Sequence, residues 1–203
     1  VELGQNIADN HANLAALLTA QGRYQEAIEA AETTMRLDPL SPTNNAWACW
    51  WIGLGGRLEA AIGELEKFVA LDPNHWLPHH VFGDLYSRAG RLDEAIAAST
   101  RAVALSGGNS IAVTQLSYLS YLVGAIEQAN EHLEKLKKRS QEAYVPPTFF
   151  SWIHRARGER ADALRWMEEA ARIKDPWLAF FRVMEPLFPA DPSIEAALQQ
   201  HGV

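Results

Sequence analysis

The chain has 203 residues, of which 48% are apolar and 21% charged, a composition typical of a globular protein with a sizeable core. Its formal net charge of −7 argues against a phosphate-binding surface, so we expect no nucleic-acid partner. Cys49 is the only cysteine, which excludes an internal disulfide and indicates a reducing compartment such as the cytoplasm. No apolar run reaches the length of about 18 residues that a transmembrane helix needs, so we expect no membrane association.

Three columns of small residues recur through the chain with a period of 34 residues. The first column holds glycine, at Gly22, Gly56, Gly90, Gly124 and Gly158. An alanine follows each glycine five residues later, at Ala27, Ala61, Ala95, Ala129 and Ala163. A small residue precedes each glycine by seven residues, at Ala15, Cys49, Gly83, Ser117 and Ser151. Three columns in one register indicate a repeated structural unit.

The spacing of apolar residues within each repeat is helical, which predicts a pair of helices joined at the glycine. Glycine suits that turn because a positive φ costs it little. The other two columns are expected on facing helices, where small side chains let the backbones approach closely. Asp38-Pro39, Asp72-Pro73 and the segment 106–109 should end the second helices of their repeats. Strand-like clusters of β-branched residues are absent, so the sequence predicts an all-α fold.

These features resemble the tetratricopeptide repeat family, whose 34-residue unit is a helix-turn-helix. The segments that carry the likeness are GRYQEAIEAAETTMRLDP (22–39), GRLEAAIGELEKFVALDP (56–73) and GRLDEAIAASTRAVAL (90–105). The resemblance implies one domain over 1–203, a right-handed superhelical α-solenoid with five repeats and a C-terminal cap. The boundaries are 8–41, 42–75, 76–109, 110–143 and 144–177, with the cap at 178–203. Repeat four is less regular, and its segment 135–139 is expected to continue the helix toward Pro146.

The end of the chain is similar to the last repeat and tail of repeat domains in bacterial signalling proteins, which follow winged-helix, kinase or cyclase domains. The segment 144–183 and the later Asp191-Pro192 pair carry this likeness. Asp191 is expected to cap a final helix that begins at Pro192. The tail should cover the apolar face of repeat five. The side chains expected there are Trp177, Leu178, Phe180, Phe181, Val183, Leu187 and Phe188.

The resemblance also implies that the first helices of successive repeats line a concave groove that holds a protein or peptide. The candidate groove residues are Trp47, Trp50, His80, Asp84, Arg88, Gln115, Tyr118, Tyr121, Phe149, Trp152 and Arg155. Tryptophan, tyrosine and arginine often dominate binding energy at interfaces. We expect an apolar peptide there, with Arg88 or Arg155 pairing with a carboxylate and Asp84 with a basic group. Packing of the same aromatic rings between repeats is an equally open alternative.

The chaperone-binding members of the family use lysine and asparagine in a carboxylate clamp. Neither residue occupies the fifth or ninth position of any repeat here, so we expect no binding of a chaperone C-terminal tail. His75, His79 and His80 form the one histidine cluster, and we expect them to be solvated or packed rather than to bind a metal. Cys49 is expected to be a packed, inert thiol. No catalytic or phosphate-loop motif occurs, so we expect neither enzymatic activity nor a cofactor.

The sequence therefore predicts a protein-interaction module that acts as a scaffold or adaptor. A first alternative is the C-terminal partner- or effector-sensing domain of a larger bacterial signalling or transcription-regulatory protein. A second is a self-assembling module that forms a homodimer, because few residues precede repeat one to cover its outer face.

Overall fold

The computed structural model describes residues 7–184, 187 and 191–200. All regular structure in these ranges is helical, and the ranges contain no strand, which confirms the all-α solenoid class. The first five helices are α1 (Ala8–Ala20), α2 (Tyr24–Leu37), α3 (Pro42–Leu54), α4 (Leu58–Leu71) and α5 (Trp76–Arg88). They are followed by α6 (Leu92–Leu105), α7 (Ser110–Leu122), α8 (Ile126–Ser140), α9 (Pro147–Ala156) and α10 (Arg160–Arg172). A 3-10 helix (Pro176–Phe180), α11 (Phe181–Met184) and α12 (Pro192–Gln200) end the described chain.

The chain packs as two compact units, an N-terminal unit that ends at Gly107 and a C-terminal unit that begins at Gly108. The N-terminal unit contains the hairpins α1–α2, α3–α4 and α5–α6, and its first helices stack in the order α1, α3, α5. The C-terminal unit contains the hairpins α7–α8 and α9–α10, with α7 against α9 and α12 against α10. A single domain over 1–203 with a right-handed superhelix stays a prediction.

The glycine column forms the turn inside each hairpin, as the repeat register predicts. Gly22 has φ 73° and Gly56 has φ 94°, and the other three members of the column also have positive φ. In the first hairpin the N–H of Arg23 donates to the carbonyl of Leu18 at 2.8 Å, which satisfies a carbonyl at the end of α1. The turn therefore requires the left-handed conformation that glycine adopts at low cost.

The two other small-residue columns face one another in the α7–α8 and α9–α10 hairpins, as the sequence predicts. The hydroxyl of Ser117 donates to the carbonyl of Ala129 at 3.0 Å, and that of Ser151 donates to the carbonyl of Ala163 at 2.8 Å. A side chain of one helix thus reaches the backbone of its partner helix directly. Such close approach is compatible only with small side chains at both positions.

Most of the helices end where the sequence predicts. α2 and α4 end at the residue before each Asp-Pro pair, and α6 ends before the 106–109 segment. α8 continues to Ser140, as expected for repeat four. α9 begins at Pro147 rather than at Tyr144, where the repeat register starts, because Pro146 is extended (φ −54°, ψ 127°) and Pro147 suits a first helical turn.

The tail packs on repeat five in the described residues. Leu178 and Phe181 are buried, and the ring of Trp177 contacts side chains of α9. Asp191 caps α12 by accepting a hydrogen bond from the N–H of Ser193 at 3.0 Å. Phe188 and the side chain of Val183 lie outside the described residues. Across the described part of the chain, no helix is both long enough and apolar enough to cross a bilayer.

Candidate partner-binding face

Three tryptophans on α3 form the centre of the candidate site. α3 begins where the hydroxyl of Ser41 accepts the N–H of Asn44 at 3.2 Å, with proline at the first helical position. Trp47 stacks on Trp51 one turn later with ring centroids 6.0 Å apart, and it tilts against Trp50 at 5.4 Å. Trp50 and Trp51 are buried, whereas Trp47 is only partly buried. Trp47 is therefore the tryptophan of α3 that an incoming molecule can reach.

Asp84 on α5 holds two of the predicted groove residues in place. Its Oδ2 accepts the indole N–H of Trp50 at 2.6 Å and the Nε–H of Arg88 at 2.6 Å. Asp84 is buried, and the Arg88 side chain is 13% exposed. The two charges that we expected to meet opposite groups of a ligand are thus paired with each other, at the i, i+4 spacing on one helix.

His80 connects the tryptophans of α3 to a further tryptophan on α5. Its ring lies 6.3 Å from that of Trp47 and 6.0 Å from that of Trp76. His80 is buried, whereas Trp76 is partly exposed. Trp76 is absent from the predicted set because it precedes the groove positions of its repeat, although its i, i+4 spacing to His80 is a signal in the sequence. We call Trp47, Trp50, Trp76, His80, Asp84 and Arg88 the tryptophan face.

The predicted residues of α7 are mostly inaccessible. Gln115 and Tyr118 are 2% and 1% exposed. Tyr121 is partly exposed, and the guanidinium of Arg157 lies over its ring, 5.5 Å from the centroid. Tyr121 is therefore the member of the α7 group that a partner can contact at the surface.

The predicted residues of α9 contact the chain's own C-terminal segment. Trp177 lies edge-on to Phe149 at 5.1 Å and to Trp152 at 6.2 Å, and the guanidinium of Arg155 lies 5.1 Å from the ring centroid of Phe181. Asp175 anchors this segment by accepting the hydroxyl of Thr148 at 2.7 Å. Phe149, Trp152 and Arg155 are all buried. A ligand would reach them only by displacing the segment.

The predicted cluster of His75, His79 and His80 does not bring its side chains to one point, and Cys49 is buried. His79 Nε2 lies 2.9 Å from the carbonyl of Pro73, while His80 packs among tryptophans, and the described residues of this cluster do not converge on one point. Burial raises the pKa of the Cys49 thiol to about 12, which keeps it protonated at neutral pH.

Family models match parts of the chain, and solved structures of similar fold match most of it. Tetratricopeptide repeat models match residues 11–43 and 79–109. A comparison with curated protein sequences found no match. A thermophilic TPR protein of Thermus thermophilus is similar in structure, with a TM-score of 0.65 and 19% identity over 95% of this chain and 100% of that one.

Two further solved structures share the fold. PilW, described as a widely conserved type IV pilus biogenesis factor, has a TM-score of 0.59 and 16% identity over 95% of this chain and 83% of its own. A chain from the structure of Naa15/Naa10 bound to HypK-THB has a TM-score of 0.56 and 16% identity over 96% of this chain and 33% of its own. At these identities the likeness shows the fold alone.

The family models identify tetratricopeptide repeats at residues 11–43 and 79–109, and the solved structures show that the chain shares the fold of tetratricopeptide repeat proteins. Proteins built from such repeats are generally non-catalytic scaffolds that bind proteins or peptides. The likeness of the tail to bacterial signalling proteins, and a sensing role, stay predictions.

Proposed function

We propose that the chain binds a peptide segment of a partner protein on the tryptophan face of the N-terminal unit. The observation that carries this proposal is the pair of partly exposed indoles, Trp47 and Trp76, on either side of His80. Tryptophan buries a large apolar area with few rotatable bonds, which makes it the residue type most enriched among interface hot spots.

The groups beneath these indoles are already ordered. Asp84 fixes Trp50 and Arg88 through hydrogen bonds of 2.6 Å, and Trp50 in turn contacts the ring of Trp47. A surface held in this way loses little side-chain entropy when a partner binds, so more of the interaction energy appears as affinity. The buried residues of the predicted groove would thus hold the exposed indoles in position for binding.

The charge of the N-terminal unit favours a basic partner. Up to Gly107 the sequence has thirteen aspartate and glutamate residues against seven lysine and arginine residues, a net of −6 out of the chain's −7. Such an imbalance attracts positively charged molecules over the range of the screening length. We therefore expect a segment with apolar side chains for the two indoles and flanking lysine or arginine residues.

Selection of peptides from a random display library tests this function and requires no identified partner. Peptides enriched on the wild-type chain should bind Trp47→Ala and Trp76→Ala at least about 30-fold more weakly, the loss expected for hot-spot residues. Trp166→Ala is the matched control, because Trp166 is also a partly buried indole but lies on α10, stacked on Phe150 at 4.5 Å. Equal affinity of the folded Trp47→Ala and wild-type chains would contradict the proposal.

Self-association is a second candidate function, favoured by the outer face of α1. Leu17 is 55% exposed, whereas Trp51 and Leu85, which occupy the same place in the next two repeats, are 5% and 0% exposed. An exposed leucine at a position that the repeat design buries is suited to contact with a second copy. Light scattering of the wild type and of Leu17→Glu tests this role: a dimer that Leu17→Glu converts to a monomer would support it, and a wild-type monomer at high concentration would exclude it.

A further inference from the structure

Three side chains of metal-binding type converge at the turn between α9 and α10. One ligand atom each from His154, Glu159 and Asp162 lies within 4.8 Å of the other two. His154 is buried at the end of α9, and its Nδ1 donates to Oε2 of Glu159 at 2.6 Å. The tryptophan face lies in the other unit, so this cluster is independent of the proposed partner-binding role.

The same turn in repeats one and three has an ion pair in place of this cluster. The residue that precedes the second helix is arginine in repeats one and three, and it forms an ion pair with a glutamate three residues later. These pairs are Arg23–Glu26 and Arg91–Glu94, and the position of His154 is occupied by Leu18 and Tyr86 in the same two repeats. In repeat five a glutamate replaces the arginine, an aspartate replaces the glutamate, and a histidine replaces the apolar residue. The pair of opposite charges in repeats one and three is replaced in repeat five by two like charges beside an imidazole.

The carboxylates are available as ligands. Glu159 is only partly buried, and its two carboxylate oxygens have different partners. Arg157 contacts Oε1 of Glu159 at 2.8 Å, which leaves Oε2 directed at His154. The pair of Arg165 with Asp162 is exposed, and exposed ion pairs contribute little stability, so Asp162 can rotate away from it.

We propose that His154, Glu159 and Asp162 bind a divalent ion of the zinc class, with Nδ1 and one oxygen of each carboxylate as ligands. Water completes a four-coordinate sphere, since zinc accepts such mixed nitrogen and oxygen sets. Around the ion the three ligand atoms would lie roughly 3–3.5 Å from one another. Nδ1 of His154 and Oε2 of Glu159 therefore separate from their present 2.6 Å, and any longer separation within the cluster shortens. The Nδ1 proton is released to solvent on binding, so acidification competes with the metal. The bound ion would tie the end of α9 to the start of α10.

Titration of the chelator-treated chain with ZnCl₂, followed by calorimetry and by thermal unfolding, tests this site. The wild type should bind one ion and unfold at a higher temperature with it. Glu159→Arg, which gives the turn the arginine of repeats one to three, should lower the affinity at least about tenfold and abolish the thermal shift. Asp162→Asn is a surface change that keeps the fold and should weaken binding in the same direction. His132→Ala, which removes a partly buried histidine from α8, is the matched control and should leave binding unchanged.

Two results would overturn the proposal. The first is a wild-type chain that binds no zinc, in which case the carboxylates serve only the positive end of the α10 helix dipole. The second is binding of several ions with the same affinity in the wild type, Glu159→Arg and Asp162→Asn, which is the behaviour of scattered surface carboxylates. Circular dichroism of each variant shows whether it is folded, so that a loss of zinc binding can be distinguished from a loss of structure.

Discussion

Asp84 accepts a hydrogen bond from the indole nitrogen of Trp50, a residue 34 positions earlier, so that the same place in two consecutive repeats is joined by one contact of 2.6 Å. The same carboxylate oxygen accepts a hydrogen bond from Arg88 on the next turn of α5. This arrangement connects the α3–α4 and α5–α6 hairpins through a buried polar group. It also sets the positions of the aromatic rings in the tryptophan face.

Replacement of Asp84 by alanine should destabilise the N-terminal unit. The change removes a buried charge that pairs with a guanidinium and an indole, which costs about 3 kcal/mol. Urea unfolding followed by circular dichroism measures the loss. Arg23→Gln, which removes an exposed ion pair with Glu26, should cost less than about 1 kcal/mol and serves as the control. A loss for Asp84→Ala no larger than that of the control would contradict a structural role for Asp84.

Two glycines should respond to alanine in opposite directions. Gly63 lies inside α4 with no atom within 4 Å of an added Cβ, so Gly63→Ala should stabilise the chain by about 0.5–1 kcal/mol. Gly56 also has open space, but its φ of 94° is unfavourable for alanine, and Gly56→Ala should destabilise by about 1–2 kcal/mol. The midpoints of urea unfolding of both variants measure the two effects. If both substitutions changed the free energy of unfolding in the same direction, the positive φ described for Gly56 would be contradicted.

Cys49 should be unreactive until the chain unfolds. Burial raises the pKa of its thiol to about 12, so the thiolate fraction at pH 8 is about a thousandfold lower than for a free cysteine. Reaction with a thiol reagent at pH 8 should therefore be at least about a thousandfold slower in the native chain than in denaturant. A native rate within tenfold of the unfolded rate would disagree with the buried position of Cys49.

The contact of α12 with α10 should depend on pH through Asp191. Arg160 forms hydrogen bonds of 2.8 and 2.9 Å to the two oxygens of Asp191 and lowers the pKa of this carboxyl. Because the pKa is lowered in the folded state, the stabilising effect is fully present above the ordinary aspartate pKa of about 4 and is lost as the pH falls below it. The urea midpoint should fall further between pH 5 and pH 3 in the wild type than in Arg160→Gln. An equal fall in the two chains would mean that the ion pair does not contribute.

The repeat architecture could be predicted from sequence because it depends on local requirements with a fixed period. Gly22 and its equivalents need a positive φ, and Ser117 and Ala129 need to be small. Each requirement therefore places the same kind of residue at a constant spacing in the sequence. The start of α9 could not be placed from the period alone, because the two consecutive prolines at 146 and 147 delay the helix beyond Tyr144.

The burial of the predicted groove residues could not be predicted from the sequence, because it depends on contacts between distant parts of the chain. The position of Trp152 in its repeat gives no sign that Trp177 covers it. The pairing of Arg88 with Asp84 was within reach of the sequence, since the two are one helical turn apart. The cluster of Glu159 and His154 forms across a turn, so its members share no helical spacing that marks them.

The central claim is that a protein partner contacts the first-helix face of the N-terminal unit, and site-specific photo-crosslinking tests it most directly. A photoreactive phenylalanine analogue would replace the exposed Thr43, one turn before Trp47 on α3, or the exposed Lys67 on α4, in extracts of the native host. We expect covalent adducts with a partner from position 43 and none from position 67, as mapped by mass spectrometry. Adducts from position 67 with none from position 43 would contradict the claim.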